Sequence, residues 1–148
     1  MILQAVPRTQ LYEYMHSMSW GGGDGIIRDA NDGDVTAQAP LAMKVNVAAF
    51  RGFINNRIVW HQSTTETATV TGPTGGSAGD LRRIDKVQYT LGTGVNIKTG
   101  TESATPSAPS TDADSLFIAT ISCRKGMTSI KDADDAANGF ITDARTFV

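Results

Sequence analysis

The stretch Met43-Lys44-Val45-Asn46-Val47-Ala48-Ala49-Phe50-Arg51-Gly52-Phe53-Ile54-Asn55-Asn56-Arg57-Ile58-Val59-Trp60 decides the fold class. Met43, Val45 and Val47 point one way while Lys44 and Asn46 point the other, the period of two that marks a half-buried strand. Phe53, Asn55, Arg57 and Val59 then alternate with Ile54, Asn56, Ile58 and Trp60. That is a second strand, or two strands if Asn55-Asn56 is a tight turn. Outward from here the period persists. Thr65, Thr67, Thr69 and Thr71 share a face, residues 84–91 read as a strand, and residues 95–98 are its hairpin partner across Gly92-Thr93-Gly94. Residues 116–124 are the most core-like, with Phe117, Ala119, Ile121 and Cys123 on one face and Leu116, Ile118 and Thr120 on the other. One helical turn is expected at 132–137 before residues 140–147 close the chain.

Two stretches are connections by composition. Residues 72–79 are rich in Gly, Ser and Thr. Residues 100–115 hold Pro106 and Pro109, which impose extended backbone. Together these signals predict an all-β chain, a β-sandwich of about seven to nine short antiparallel strands occupying residues 26–148. Eighteen threonines and fifteen glycines fit that class.

Residues 1–25 read differently. Leu11, Met15 and Met18 recur at helical spacing with Tyr12 beside them and Trp20 close behind, which predicts a short amphipathic helix. It stops at Gly21-Gly22-Gly23-Asp24-Gly25, a joint with no helix-forming residues. An aromatic, Met-rich segment on such a joint needs a surface to cover, on its own domain or on a partner chain.

The 148 residues suit one domain with an arm, and 40% hydrophobic content supplies one core. Thirteen Lys and Arg against fifteen Asp and Glu leave a net charge of −2, without the basic surplus of a nucleic-acid binder. No apolar run reaches the ~18 residues of a membrane span, and the N-terminus lacks the pattern of a signal peptide. A soluble chain made in a reducing cytosol is the expectation. One cysteine, Cys123, forms neither an internal disulfide nor a cysteine-based zinc site.

Motifs for chemistry fail one by one. Gly92-x-Gly94 lacks a third glycine and opens no helix, so it is no dinucleotide fingerprint. Asp29, Asn31, Asp32 and Asp34 miss the register of a calcium loop, because its glycine position is Asp34 and its last acid is Pro40. Asp132, Asp134 and Asp135 read as solvated acids at a helix start. His16 and His61 have no carboxylate or serine motif beside them, and Cys123 reads as a small core residue. No cofactor, metal or catalytic residue is therefore expected, and the chain is not expected to be an enzyme. Trp60, Tyr89 and Trp20 could offer a sugar stacking platforms, with Asn55, Asn56 and Gln62 near Trp60 in sequence, although a core or oligomer-interface role suits aromatic residues better.

Five signals, taken in order, resemble a domain of bacteriophage tail and baseplate proteins, found near the N-termini of tail fibres and in receptor-binding adaptors. They are the stretch from Met43 to Ile58, then Arg83-Ile84-Asp85-Lys86-Val87, then Gly100-Thr101 with Pro106-Ser107-Ala108-Pro109. Phe117-Ile118-Ala119-Thr120-Ile121 and Ile141-Thr142-Asp143-Ala144-Arg145 follow. Phe50 and Arg51 stand where the pattern has a glycine turn, and the fibre shaft or tip that usually follows is missing after Val148.

The resemblance implies a non-enzymatic virion structural protein, an oligomeric tail, baseplate or fibre-attachment adaptor. Its partners would be copies of itself, as a trimer or higher, and other virion proteins, with no nucleic acid or membrane. A host-glycan-binding module using Trp60 and a capsid decoration or head-fibre protein are the alternatives. Asp85, beside Arg82 and Arg83, is expected to form a charge-assisted pair at the strand start. Asp143 with Arg145, or a cross-pair with Arg83, is expected to be of the same architectural or assembly value. Leu11, Tyr12, Met15, Met18 and Trp20 are expected to grip a neighbouring subunit.

Overall fold

A computed structural model of the chain describes residues 23–27 and 32–148, and these contain strands and no helix. The expected arm helix, with Leu11, Tyr12, Met15, Met18 and Trp20, lies outside the described residues. The strands are β1 (Gly25–Ile26), β2 (Val35–Ala37), β3 (Val45–Val47), β4 (Phe50–Ile54), β5 (Arg57–His61), β6 (Thr65–Glu66), β7 (Leu81–Thr90), β8 (Gly94–Lys98), β9 (Ser115–Arg124), β10 (Ile130–Lys131) and β11 (Gly139–Asp143). They form three sheets, in the orders β1-β4-β5, β2-β3-β6 and β10-β11-β9-β7-β8.

Asn55-Asn56 is a turn. Both residues have positive φ, 50° and 62°, as a two-residue hairpin requires, and Asn tolerates that region better than other side chains. The turn splits the expected single run into β4 and β5. Phe50 and Arg51 open β4, and Ala48-Ala49 carries the chain from β3 into a different sheet, so β3 and β4 make no hairpin. The threonine run yields only the two residues of β6. The backbone N–H groups of Thr67 and Val70 still bond to the carbonyls of Val45 and Met43, continuing alongside β3 without a full ladder.

The two ten-residue strands β7 and β9 form the spine of the five-stranded sheet. Their register shifts between Val87 and Gln88, so that Ile118 has no partner across the ladder. The shift corrects the expected faces of residues 116–124. Phe117 moves opposite Gln88 and sits beneath the Lys86 ammonium, while Leu116 and Ile118 are buried in the core.

The strands are not all antiparallel. β10 and β11 pair in parallel through two residues each. Long parallel pairs need a crossover of a dozen or more residues, but a contact this short is closed by residues 132–138. No helical turn forms there. The carboxylates of Asp134 and Asp135 instead accept backbone N–H groups of Ala136, Ala137 and Asn138, and these local turns bring the chain back.

One continuous apolar cluster joins the three sheets, with Val45 and Val47 from one, Phe50, Ile54 and Val59 from another, and Val87, Ile118 and Ile121 from the third. Gly52 lets β4 lie close to β1 within its sheet while the side chain of Leu116, from the five-stranded sheet, packs above it. A Cβ there would lie 2.6 Å from the Gly25 carbonyl oxygen and 3.4 Å from Leu116.

Candidate functional site

The sheet β1-β4-β5 has two apolar faces. Ile26, Phe50, Ile54 and Val59 are buried against the core. By register Arg51 stands opposite Trp60 and Phe53 opposite Ile58, which puts these four side chains on the other face. A sheet with one face in the core normally turns polar residues outward. Here Trp60 is 58% and Ile58 47% exposed, with Phe53 buried between them and β1. The Arg51 guanidinium lies 5.0 Å from the centre of the Trp60 ring, a cation–π contact on this face. Among the described strands β5 is also the edge of its sheet, and an edge presents backbone groups able to pair with another strand.

His61 closes the far end of the strip on the core side. Its ring stands 5.4 Å from Phe50 and 6.0 Å from Tyr89. Burial pushes its pKa down, partly offset by a hydrogen bond to the Val47 backbone. At the near end the Asp24 carboxylate accepts the Asn55 N–H at 2.7 Å, and the Asn55 side-chain amide bonds to Asp114. The hairpin tip is thereby tied both to the chain entering β1 and to the loop entering β9.

Arg83 and Asp85 form a second feature. Two residues apart on β7, they share a face, and Nε and Nη2 of Arg83 donate to the two carboxylate oxygens at 2.6 and 2.8 Å. Nη2 also donates to the Thr71 carbonyl, and the Gly100 N–H donates to Asp85 at 2.9 Å. Gly100 is required there, since a Cβ would fall 2.1 Å from the Ile84 carbonyl oxygen. The Cys123 thiol faces the pair from β9 and donates to Asp85 at 3.5 Å, and burial, reinforced by the Asp85 charge, pushes its pKa up to about 12. The cluster is sealed from solvent and fastens the loops at Thr71 and Gly100 to the spine. Arg82, the other basic neighbour, lies instead against Gly76.

Asp143 and Arg145 form a separate clamp at the chain's end. The guanidinium donates to both carboxylate oxygens, at 2.9 and 2.7 Å, and reaches the Asp32 carbonyl at 2.9 Å. Asp34 lies 3.4 Å away, and the Arg145 partner holds the Asp143 carboxyl below its ordinary range. Arg145 thus joins residues 32–34 to the end of β11, the last strand in sequence and an inner strand of the five-stranded sheet.

A third polar cluster, centred on Lys86 and Gln88, carries no sequence motif. Lys86 and Gln88, on the outward face of β7, are buried, with Thr111 and Asp112 of the loop before β9 bonded to them. Lys86 donates to Thr111, Gln88 to Asn96 and Asp112, and Lys98 pairs with Asp112. Burial, with Lys98 nearby, pushes the Lys86 pKa down. Alternation alone marks these residues as solvated. Only the Ser, Thr and Asp content of 110–115 hints at partners for them.

Among the described residues no group of three or more His, Cys, Asp or Glu could hold a metal ion. Asp132, Asp134 and Asp135 diverge to Ala37, Arg124 and Lys131 respectively. Among the described residues no helix is long and apolar enough to cross a membrane. The chain matches no protein-family model, no curated protein and no solved structure.

Proposed function

We propose that the chain is a non-enzymatic virion structural protein of a bacteriophage, an oligomeric adaptor at the tail, baseplate or fibre-attachment site. On this reading its sheets act as one β-sandwich behind an arm of residues 1–25, and it works by binding copies of itself and other virion proteins. The observation that carries the assembly part is the outward strip of Ile58 and Trp60 on an edge strand, apolar surface of the kind that interfaces cover. The order of sequence signals from Met43 to Arg145 supports the phage part. The polar clusters support a scaffold, since Arg83, Asp85, Asp143 and Arg145 are spent on fastening loops to strands.

A host-glycan site at Trp60 is the second reading, favoured by the exposed indole, although the Asn55-Asn56 turn lies at the other end of β5 from it. Arg51 already lies over that ring, which suits a protein contact better. Gold-labelled antibody on phage particles made in cells expressing the chain tests the proposal. Label at the tail tip or collar supports an adaptor, and label over the head moves the role to capsid decoration. Bare particles, with accessible epitopes on the expressed protein, reject a virion role and put glycan binding first.

A further inference from the structure

Lys86 and Lys98 stand directly opposite each other on β7 and β8, and Gln88 stands opposite Asn96. Alternation puts all four side chains on the outward face of the sheet, so two ammonium groups and two amides form one block. We propose that this block is a receptor for carboxylates, filled in this structure by the chain's own Asp112, and that it takes an acidic segment of a partner protein when the strap carrying Asp112 lifts. The block belongs to a different sheet from Ile58 and Trp60 and goes beyond the assembly reading.

Like charges directly opposite each other on neighbouring strands repel. Lys86 and Lys98 are tolerated there because one carboxylate lies within the reach of both. Lys98 is ion-paired with Asp112. Hydrogen bonds from Lys98 and Gln88, with the attraction of both lysines, hold the Asp112 carboxyl below its ordinary range. Gln88 Nε2 donates to that carboxylate at 2.6 Å, and Gln88 Oε1 accepts the Asp112 N–H at 3.3 Å. Lys86 donates to the hydroxyl of the preceding residue, Thr111, at 2.9 Å. Two lysines thus face a single carboxylate, and a ligand with two neighbouring carboxylates balances the block better than Asp112 does.

Receptor and resident differ in how firmly they are held. Gln88 is fully buried, and Lys86 nearly so, with its ammonium 4.3 Å from the centre of the Phe117 ring. Gln88 also donates to Asn96, whose amide donates in turn to Thr90. These side chains stand on paired strands, the kind of support that keeps a binding group in place. The Asp112 side chain is 47% exposed. Among the described residues, backbone-to-backbone bonds tie Ser103 to Arg82 and Asp114 to Leu91, and none holds residues 104–113 between them. The bonds at Thr111 and Asp112 fasten this strap across the sheet. A segment held by half-exposed side-chain bonds instead of a ladder opens more readily than the strands beneath it. A site that is already formed can then exchange its internal ligand for an external one.

The test follows the Gln88 side-chain amide by NMR in the full chain, at constant ionic strength, as ligand is added. Asp112→Ala empties the block. Asp112→Asn removes the charge but keeps an acceptor, should alanine disturb the strap. Asp112→Ala with Lys98→Met removes one wall of the site. The probes are malonate and an acetylated, amidated Ala-Asp-Asp-Ala peptide, with Ala-Asn-Asn-Ala as control. In Asp112→Ala the resonance is expected to shift saturably with malonate and with the acidic peptide, and not with the control. Wild type should bind both roughly tenfold more weakly or worse, because only molecules with a lifted strap are competent. The variant with Lys98→Met should show no saturation. A flat titration in both single variants, or equal binding with Lys98→Met, would overturn the receptor. Wild type binding as tightly as Asp112→Ala would contradict Asp112 as the resident ligand. Malonate binding without peptide binding would reject a protein segment as the ligand.

Discussion

Arg83 and Asp85, neighbours on one face of β7, meet fork to fork with side chains only 6% and 1% exposed. The pair also holds Thr71 and Gly100, so two loops that lack ladder bonds of their own converge on it. A paired, fully bonded buried charge adds little net stability, whereas a lone one is costly.

Arg83→Ala or Asp85→Ala alone should therefore destabilise the fold by about 3–5 kcal/mol. Replacing both, as Arg83→Met with Asp85→Leu, should cost clearly less than the sum of the single changes. Urea unfolding of the four proteins measures this. Additive losses would mean that the residues act independently.

Cys123 should resist thiol reagents in the folded protein. A free thiol titrates near ~8.5, but burial pushes this one up to about 12, so almost no thiolate exists at pH 8. Labelling by iodoacetamide should track unfolding in urea, and rapid labelling of native protein would contradict the buried cluster.

Acid should weaken the fold in two stages. The folded pKa of His61 lies below its ordinary 6.5, so the neutral ring stabilises the fold above that pH. That stability is lost as pH falls through 6.5 toward the folded value. Asp143, Asp112 and Glu102 are also held low, by Arg145, by Lys98 and by backbone N–H groups of Thr74 and Gly75 respectively. Their contribution survives until pH drops below the ordinary carboxylate range. His61→Phe keeps the ring between Phe50 and Tyr89 and should remove the first stage alone. Melting temperatures from pH 8 to 3 show whether the upper step disappears in the variant, and an unchanged step would assign it elsewhere.

Trp60→Ala should leave folding stability within about 0.5 kcal/mol of wild type, as for surface changes in general. The side chain is large, but most of it already faces solvent. Thermal melting at a concentration too low for self-association isolates this effect. A loss of several degrees would mean that the indole belongs to the core. Glycan-array binding that disappears in the same folded variant would favour the sugar-binding reading.

The long strands were legible because period-two alternation and Gly92-Thr93-Gly94 are local signals, and β7, β8 and β9 fall close to where they place them. The Arg83–Asp85 pair was legible for the same reason, since residues two apart on a strand share a face. Arg145 lies beyond the end of β11, and its pairing with Asp143 was expected only from nearness in sequence and the resemblance. The shift at Ile118, the parallel contact of β10 with β11, and the burial of Lys86 and Gln88 were not legible. Each depends on which segment lies alongside, and residues 100–115 have no periodicity to say what they cover. The Trp60 face was half legible. Alternation separates Ile58 and Trp60 from Val59, but which face meets the core is settled only by packing.

The central claim, a chain built into phage particles as repeated copies, is tested most directly by quantitative mass spectrometry of density-purified particles from cells that make it. The account predicts a fixed copy number per particle that survives a high-salt wash and is a multiple of the oligomer formed in solution. Abundant chain in the lysate with none in the purified particles would contradict it.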